Sequence, residues 1–237
     1  MAQQKRKKAG VMGGMGPSAT VDFMAKVIAL TEAGRDQDHV HMIVDNDPTI
    51  PNRQRAISSG SDDVSARLAT MAKRLEDAGA EFLVLVCNTA HVFLGEMRST
   101  TGIPFVSIID ESVSEIERIC PQSKIIGVMA TTGCVETGIY QDAITASGRT
   151  AVIPDVANQL KCMELINVIK AGDESDAVGQ AMEEVANALK ELGAEVLITG
   201  CTEIPLVFDG TDYPLPVVAS TDVLARRTVE IATGIQS

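Results

Sequence analysis

The segment LEDAGAEFLVLVCNTAH, residues 75–91, combines the end of an amphipathic pattern, a glycine and an apolar run that stops at a cysteine. A second segment, LKELGAEVLITGCTEI, residues 189–204, has the same design. When Cys87 is aligned with Cys201, five further residues of the first segment align with identical residues of the second: Leu75, Gly79, Ala80, Glu81 and Leu83. Each segment predicts a helix, a glycine C-cap and a buried strand. The chain therefore carries one helix–strand unit twice, each time with a cysteine after the strand.

The regions upstream of these segments also repeat. KKAGVMGGMGP, residues 7–17, aligns with KIIGVMATTGC, residues 124–134, through a lysine, a Gly-Val-Met triplet and a glycine. Both matches occur in the same order, which indicates an internal duplication. The apolar runs alternate between short ones predicted as strands and longer ones with a helical period, and this alternation is typical of parallel sheets with crossover helices. The strands are predicted at 9–13, 39–46, 81–86 and 103–109, and the first helix at 18–33.

The sequence therefore predicts an α/β fold with two pseudo-symmetric domains, each a parallel β-sheet flanked by helices. The first domain is predicted to comprise residues 8–112 plus 213–237, and the second residues 113–212. The small aromatic content favours a core of aliphatic side chains, which suits helices packed on buried parallel sheets.

Composition limits the classes of function. The chain has 237 residues, of which 45% are hydrophobic, and a formal net charge of −12. This acidic balance disfavours nucleic-acid partners. Five cysteines without a C-x-x-C pair, together with three histidines, predict neither a disulfide framework nor a metal site. Glycines interrupt the first apolar run, so no membrane span is expected and the protein is predicted to be cytoplasmic.

Cys87 and Cys201 both follow predicted strands, where ligands of open parallel sheets bind. Polar residues come next, Asn88-Thr89 in the first copy and Thr202-Glu203 in the second. Two related domains that face each other would present these thiols to opposite sides of one ligand. Inversion at a tetrahedral carbon needs such a pair, because one thiolate removes a proton while the opposite thiol delivers one. A helix N-terminus after each strand would stabilise the thiolate.

Six motifs extend this interpretation over nearly the whole chain: GVMGGMGPSAT (10–20), NDPTIPNR (46–53), CNTAH (87–91), ATTGC (130–134), VIKAGD (168–173) and GCTEIPL (200–206). With them the sequence resembles the aspartate/glutamate racemase superfamily, and most closely its cofactor-independent aspartate racemases. The resemblance implies two domains with the active site in the interdomain cleft, a homodimer, no cofactor and a small acidic amino acid as substrate. Glutamate, or a broader range of amino acids, is the alternative substrate class.

The resemblance also implies roles for individual residues. Cys201 would deprotonate the L-enantiomer of the substrate, and Cys87 the D-enantiomer. The α-carboxylate or amino group would be held by Asn88, Thr89 and Thr202, assisted by Thr132 or a neighbouring residue of ATTGC. His91 and Glu203, close to the two cysteines in sequence, either tune a thiol or shuttle a proton, or else serve packing and hydrogen bonding.

The side-chain carboxylate of an aspartate substrate has two implied partners, Arg53 and Lys170. Arginine can clamp a planar carboxylate through two hydrogen bonds, and a net-negative protein that binds a dicarboxylate needs such local positive charge. Met15 completes the substrate-binding set. Cys134 departs from the family pattern, which usually has a threonine there. Because a thiol is a poorer hydrogen-bond donor, a side-chain contact with the substrate would be weakened, whereas a backbone N–H contact would not change.

Other functions fit parts of the sequence. GMGPSA, residues 14–19, has the outline of a dinucleotide fingerprint, but Pro17 lacks the N–H that would cradle a pyrophosphate. Isomerisation or decarboxylation of a dicarboxylate on the same scaffold can use one cysteine, whereas retention of both favours racemisation. A binding protein for an acidic amino acid would bind without exchanging the α-proton. A redox dithiol is the minor alternative, since C-x-x-C is absent.

Overall fold

The structure is a computed structural model that describes residues 6–235. The strands in this range are β1 Ala9–Gly13, β2 Met42–Asn46, β3 Phe82–Leu85, β4 Phe105–Val106, β5 Ile125–Ala130, β6 Thr150–Val152, β7 Val196–Gly200 and β8 Val217–Ala219. The α-helices are α1 Pro17–Leu30, α2 Arg53–Ser59, α3 Asp63–Asp77, α4 Leu94–Thr100, α5 Ile108–Ile119, α6 Thr132–Thr137, α7 Ile139–Ala146, α8 Val156–Lys170, α9 Asp176–Glu191 and α10 Ser220–Thr233. Short 3-10 helices occur at Asp36–Asp38, Thr89–Phe93 and Ile204–Leu206.

The chain folds into two structural units, each with its own sheet. Of the described residues, unit 1 contains those up to Ile108 and those from Thr221 onward, and unit 2 contains Ile109–Ser220. Unit 1 has a four-stranded parallel sheet in the order β2–β1–β3–β4, and unit 2 has one in the order β6–β5–β7–β8. The predicted α/β fold with two similar domains is therefore confirmed, since each unit repeats the same strand order. The expected interdomain cleft stays a prediction.

One close approach between helix and strand is reproduced in both units. Gly10 in β1 lies against the segment that joins α3 to β3: a Cβ on Gly10 would lie 2.6 Å from Leu83 Cδ2 and 2.8 Å from Ala80 Cβ. In unit 2 a Cβ on Gly127 would lie 2.6 Å from Leu197 Cδ2 and 3.0 Å from the Cβ of Ala194, the residue that aligns with Ala80. The repeated residues of the sequence are therefore the ones that set the distance between helix and sheet.

Alanine at either glycine is expected to destabilise the fold. Because the added methyl group would overlap a packed side chain, we expect Gly10→Ala and Gly127→Ala each to lower the free energy of unfolding by about 1–3 kcal/mol. Gly34→Ala is the matched control, because nothing lies within 4 Å of a Cβ at that exposed position. Denaturant titration measures the difference. Three variants with the same unfolding midpoint would contradict the repeated close approach.

The prediction of a strand over residues 103–109 was too long. β4 contains only Phe105 and Val106, and α5 begins at Ile108. The two isoleucines that prolong the apolar run are instead the first residues of an amphipathic helix. Asp110 and Glu111 stand in its first turn, where negative side chains favour a helix N-terminus.

The chain passes from unit 1 to unit 2 and later returns to unit 1, and the predicted boundaries differ from the observed ones mainly at the return. The predicted boundary after residue 212 precedes β8, which pairs with β7 and so belongs to the sheet of unit 2. The passage from unit 1 to unit 2 falls at the start of α5, a few residues before the predicted position. The assignment of residues to two domains stays a prediction. Within residues 6–235 no helix combines the length and the apolar character needed to cross a bilayer.

Candidate active site

In unit 1 the candidate residues lie at the carboxyl edge of the parallel sheet. β1 and β3 end level, with Met12 opposite Leu85, so the loop after β1 and the segment after β3 emerge together. Cys87 lies in that second segment and is buried, and the chain then turns into the 3-10 helix Thr89–Phe93. Asn88 is buried at the same turn. This edge is where open α/β sheets bind their ligands.

His91 fixes the backbone next to Cys87. The N–H of Ile108 donates to His91 Nε2 at 3.1 Å, so this ring nitrogen is the unprotonated one. His91 Nδ1 lies 2.9 Å from the carbonyl oxygen of Cys87 and donates its hydrogen to it. The imidazole is therefore neutral in this geometry, and it acts on the Cys87 backbone rather than on the thiol.

The guanidinium of Arg53 is held at the start of α2 by backbone carbonyls. Nη1 donates to Pro51 at 3.0 Å and to Ile50 at 3.2 Å, and Nη2 donates to Met15 at 3.4 Å. Among the described residues Arg53 forms no ion pair with an acidic side chain, and its Nε is buried without a hydrogen-bond partner. Arg53 is thus an oriented, half-buried cation whose charge no carboxylate in this part of the chain neutralises.

The loop that supplies one of these carbonyls requires glycine. Gly14 has a φ of +92°, and a Cβ there would lie 2.3 Å from the backbone carbonyl carbon of Asp47. Thr20 Oγ1 accepts a hydrogen bond from the Gly14 N–H at 3.0 Å and so ties the loop to α1. The Met15 side chain is buried in the hydrophobic core that also contains Cys87. The implied contact of Met15 with substrate stays a prediction, and its backbone is the part that lies beside Arg53.

In unit 2 four side chains converge at the carboxyl end of β7. Cys201 directly follows this strand and is buried, and its Sγ donates to Glu203 Oε2 at 3.0 Å. Thr202 Oγ1 donates to the same oxygen at 3.2 Å, while Lys170 Nζ at the end of α8 lies 3.2 Å from Glu203 Oε1. Glu203 is only 3% exposed, so its charge is compensated locally by Lys170, whose side chain is 31% exposed.

The environment of Cys201 favours the protonated thiol. Burial, and after it the negative charge of Glu203, raise the pKa of the Cys201 thiol well above its ordinary value, and Lys170 opposes them. The thiol is therefore neutral around pH 7 and its hydrogen points to a carboxylate oxygen. It is in the state required of a general acid.

The first turn of α6 lies at the same edge, because Ala130 and Gly200 are opposite each other in β5 and β7. Thr131 caps this helix, and both its Oγ1 (3.4 Å) and its carbonyl oxygen (3.0 Å) accept from the Cys134 N–H. Thr132 Oγ1 accepts from Gln159 at 3.4 Å. The Cys134 side chain is buried and its N–H is used within the turn, which favours a structural role for the unusual cysteine.

The structure thus sorts the predicted site residues into two groups. One group lies in unit 1: Met15, Arg53, Cys87, Asn88 and Thr89. The other lies in unit 2: Thr132, Lys170, Cys201 and Thr202. The sequence indicates Glu203 as a residue that either acts on the nearby thiol or serves packing, but it does not show that Glu203 joins Cys201, Thr202 and Lys170. The available signal was an acidic residue next to a strand-end cysteine, at a position that is threonine in the first copy.

No metal site is evident among residues 6–235: they contain no cluster of three or more His, Cys, Asp or Glu side chains suited to hold an ion. All five cysteines are present as thiols and none is in a disulfide.

Two repeated α/β units with a buried thiol at the same strand end define a racemase-like architecture. The chain belongs to the Asp/Glu/Hydantoin racemase family, whose model matches residues 12–228. It is 29% identical to the broad specificity amino-acid racemase RacX of Bacillus subtilis over 236 residues, which are 96% of this chain and 99% of RacX. The Picrophilus torridus aspartate racemase has a similar structure, with a TM-score of 0.85, 30% identity and coverage of 95% of this chain and 94% of that one.

A more distant structure shares the fold. The glutamate racemase isoform RacE1 of Bacillus anthracis has a TM-score of 0.67 at 19% identity, over 99% of this chain and 85% of that one. At this identity the similarity shows the fold alone. The predicted superfamily is confirmed by the family match, whereas the substrate and the roles of the residues belong to the proposal that follows.

Proposed function

We propose that the protein is a cofactor-independent racemase that interconverts L- and D-aspartate, with Cys87 and Cys201 as its two acid/base groups. The observation that carries the proposal is the equivalence of the two thiols, each just beyond the central part of a parallel sheet in a repeated unit. A structural cysteine is common as a single buried residue. Two thiols at matching strand ends, each followed by buried polar residues, are better explained by chemistry.

Racemisation requires a base on one face of the α-carbon and an acid on the other. We assign Cys201 as the base toward L-aspartate and Cys87 as the base toward D-aspartate, as the resemblance implies. The α-proton of an amino acid is a very weak acid, so the site must stabilise the charge that develops when it leaves. Asn88, Thr89 and Thr202 are buried, follow the two cysteines in sequence and are the candidates for this role, although the Thr202 hydroxyl would have to leave Glu203 Oε2 to fill it.

Arg53 supports an acidic substrate. Its guanidinium is oriented by three carbonyl groups and, in the described part of the chain, is not neutralised by a carboxylate. A substrate carboxylate would gain charge-assisted hydrogen bonds from it without displacing an acidic side chain. Lys170 is a weaker candidate for the same role, because its ammonium group is already paired with Glu203.

A broader substrate range is the second candidate. RacX, described as a broad specificity amino-acid racemase, matches 96% of this chain. Of the two predicted side-chain partners, Lys170 is paired with Glu203 and Arg53 is not paired with a carboxylate in the described residues, and a site with one such cation would tolerate neutral amino acids more readily than a site with two. Homodimer formation and a cytoplasmic location stay predictions.

Chiral chromatography of a substrate panel tests the proposal. The purified protein is incubated without added pyridoxal phosphate with L-aspartate, L-glutamate, L-alanine and L-arginine, and the D-isomers are quantified. We expect D-aspartate to form with the highest kcat/KM. Faster conversion of the neutral or basic amino acids would favour the broad-specificity enzyme. Binding of aspartate without D-isomer, or formation of a different product from a dicarboxylate, would overturn the proposal in favour of a binding protein or an isomerase or decarboxylase.

A further inference from the structure

The two strand ends differ in one respect that the duplication does not predict. Cys201 Sγ donates to the buried carboxylate of Glu203 at 3.0 Å. Alignment of the two copies places Thr89 at the position of Glu203. No described residue of unit 1 offers a carboxylate to the thiol of Cys87, and His91 is bonded to the Cys87 carbonyl oxygen instead. The two thiols therefore have different electrostatic surroundings.

Glu203 is built into unit 2 rather than exposed at its surface. Its Oε2 accepts from Cys201 and Thr202, and its Oε1 lies 3.2 Å from Lys170 Nζ. A carboxylate at 3% exposure is stable only if it is paired and hydrogen bonded. The same charge, placed beside a thiol, makes loss of the thiol proton unfavourable, because a second anion would form next to the first.

Two further titratable groups of unit 2, Tyr140 and Cys162, are buried and keep their protons around pH 7. Burial raises the pKa of the Tyr140 hydroxyl, on α7, far above its ordinary value, and the thiols of Cys134 and Cys201 contribute to the same effect. Cys162, on α8 in the same hydrophobic core, has its pKa raised to about 12 by burial. Glu203 and Lys170 are therefore the charged groups that act on Cys201 within this unit, and they act in opposite directions.

We propose that Glu203 is a positioning residue that keeps Cys201 protonated in the resting protein, so that the resting form has Cys201 as the acid and Cys87 as the base and accepts D-aspartate. L-aspartate is accepted by the form in which Cys201 has lost its proton and Cys87 carries one. The assignment of acid and base rests on the proposed function. The tuning of Cys201 by Glu203 does not, because it concerns a thiol and a carboxylate that are present without substrate. Lys170 limits the tuning by neutralising part of the Glu203 charge.

Titration of the thiol tests this directly. The full chain is labelled with ¹³Cβ-cysteine, the Cys201 signal is assigned by its loss in Cys201→Ser, and its shift is followed by NMR against pH without substrate. We expect Glu203→Gln to increase the thiolate-to-thiol ratio of Cys201 at a given high pH by about tenfold or more, equivalent to one pH unit of the midpoint. Glu191→Gln is the control, since it removes the same charge from an exposed position.

Lys170→Met gives a change of opposite sign. Lys170 is partly exposed, so the variant is expected to fold, and loss of the ammonium group should lower the thiolate-to-thiol ratio of Cys201. Glu203→Asp should restore part of the wild-type midpoint. An unchanged Cys201 midpoint in folded Glu203→Gln, or a higher thiolate fraction in Lys170→Met, would overturn the proposal. If Glu203→Gln does not fold, the sign of the Lys170→Met shift decides.

Kinetics separate this inference from the proposed function. In Glu203→Gln, the limb of the kcat/KM profile that Cys201 controls should move to lower pH by the same amount as the NMR midpoint. This is the high-pH limb in the direction in which Cys201 is the acid and the low-pH limb in the opposite direction. A merely structural role would lower the rate at all pH values without moving the limb, and would overturn the proposal. If the wild type does not racemise any amino acid while the NMR shifts occur as expected, the proposed function and the acid role fail, but the tuning of Cys201 stands.

Discussion

Replacement of either strand-end cysteine by serine is expected to lower the interconversion of L- and D-aspartate by about 10²–10⁴-fold, the usual contribution of a general acid or base. A serine hydroxyl at the same position is too weak an acid and too weakly ionised to take over the role of the thiol. The two variants should differ in what they retain. Cys87→Ser keeps Cys201 as a base and should exchange the α-proton of L-aspartate with solvent, while Cys201→Ser should exchange that of D-aspartate.

The control for this pair is Cys120→Ser. Cys120 follows α5 and is partly exposed, away from the strand ends, so its replacement should leave both exchange and inversion at the wild-type level. Inversion at a wild-type rate in Cys87→Ser or in Cys201→Ser would contradict a two-thiol mechanism. Exchange of both enantiomers by one variant would contradict the assignment of one thiol to each face.

The second large effect is expected at Arg53. If its guanidinium binds the side-chain carboxylate of the substrate, Arg53→Gln removes a charge-assisted interaction of about 1.5–3 kcal/mol. We therefore expect the KM for aspartate to rise by about 10–100-fold, with a much smaller effect on kcat. A neutral amino acid, if it is turned over, should show little change in KM, because it offers no side-chain carboxylate to Arg53.

Arg55→Gln is the matched control, since Arg55 lies on the same helix with an exposed side chain. Arg53 also bonds three carbonyl groups of the surrounding loops, so the thermal unfolding midpoint of each variant must be measured beside the kinetics. Equal KM values for aspartate in the two variants would contradict the binding of the substrate side-chain carboxylate by Arg53. If the activity falls only as far as the stability falls, Arg53 holds the surrounding loops together and does not bind the substrate.

Much of the fold was predictable from the repeated segments. Identical residues in the two copies are the ones that pack tightly around Gly10 and Gly127, and such packing restricts the residue type at both partners. The strand at 103–109 was not predictable at its true length. A run of isoleucines is compatible with a buried strand and with the start of a buried helix, and periodicity does not separate the two over so few residues.

The residues of the candidate site were predictable from the sequence, but the contacts between their side chains were not. A sequence shows that Cys201 ends a strand and that Lys170 ends a helix, yet it does not show which side chains the sheet brings together. Glu203 lies buried between Cys201 and Lys170 only because β7 and α8 place them at one edge. The two implied carboxylate-binding cations therefore differ in the structure: Lys170 is paired with Glu203, whereas Arg53 is held by carbonyl groups.

Deuterium incorporation during the first turnovers tests the central claim, two-thiol racemisation, most directly. L-aspartate is incubated with the purified protein in heavy water, and at low conversion both isomers are separated and their α-carbon isotope content is measured by mass spectrometry. With two thiols the proton delivered comes from a second, solvent-exchanged group. We therefore predict D-aspartate that carries deuterium at the α-carbon, and unreacted L-aspartate that still carries protium. Deuterium in the recovered L-aspartate at the rate at which D-aspartate forms would indicate a single base on both faces and would contradict the account, as would the absence of D-aspartate.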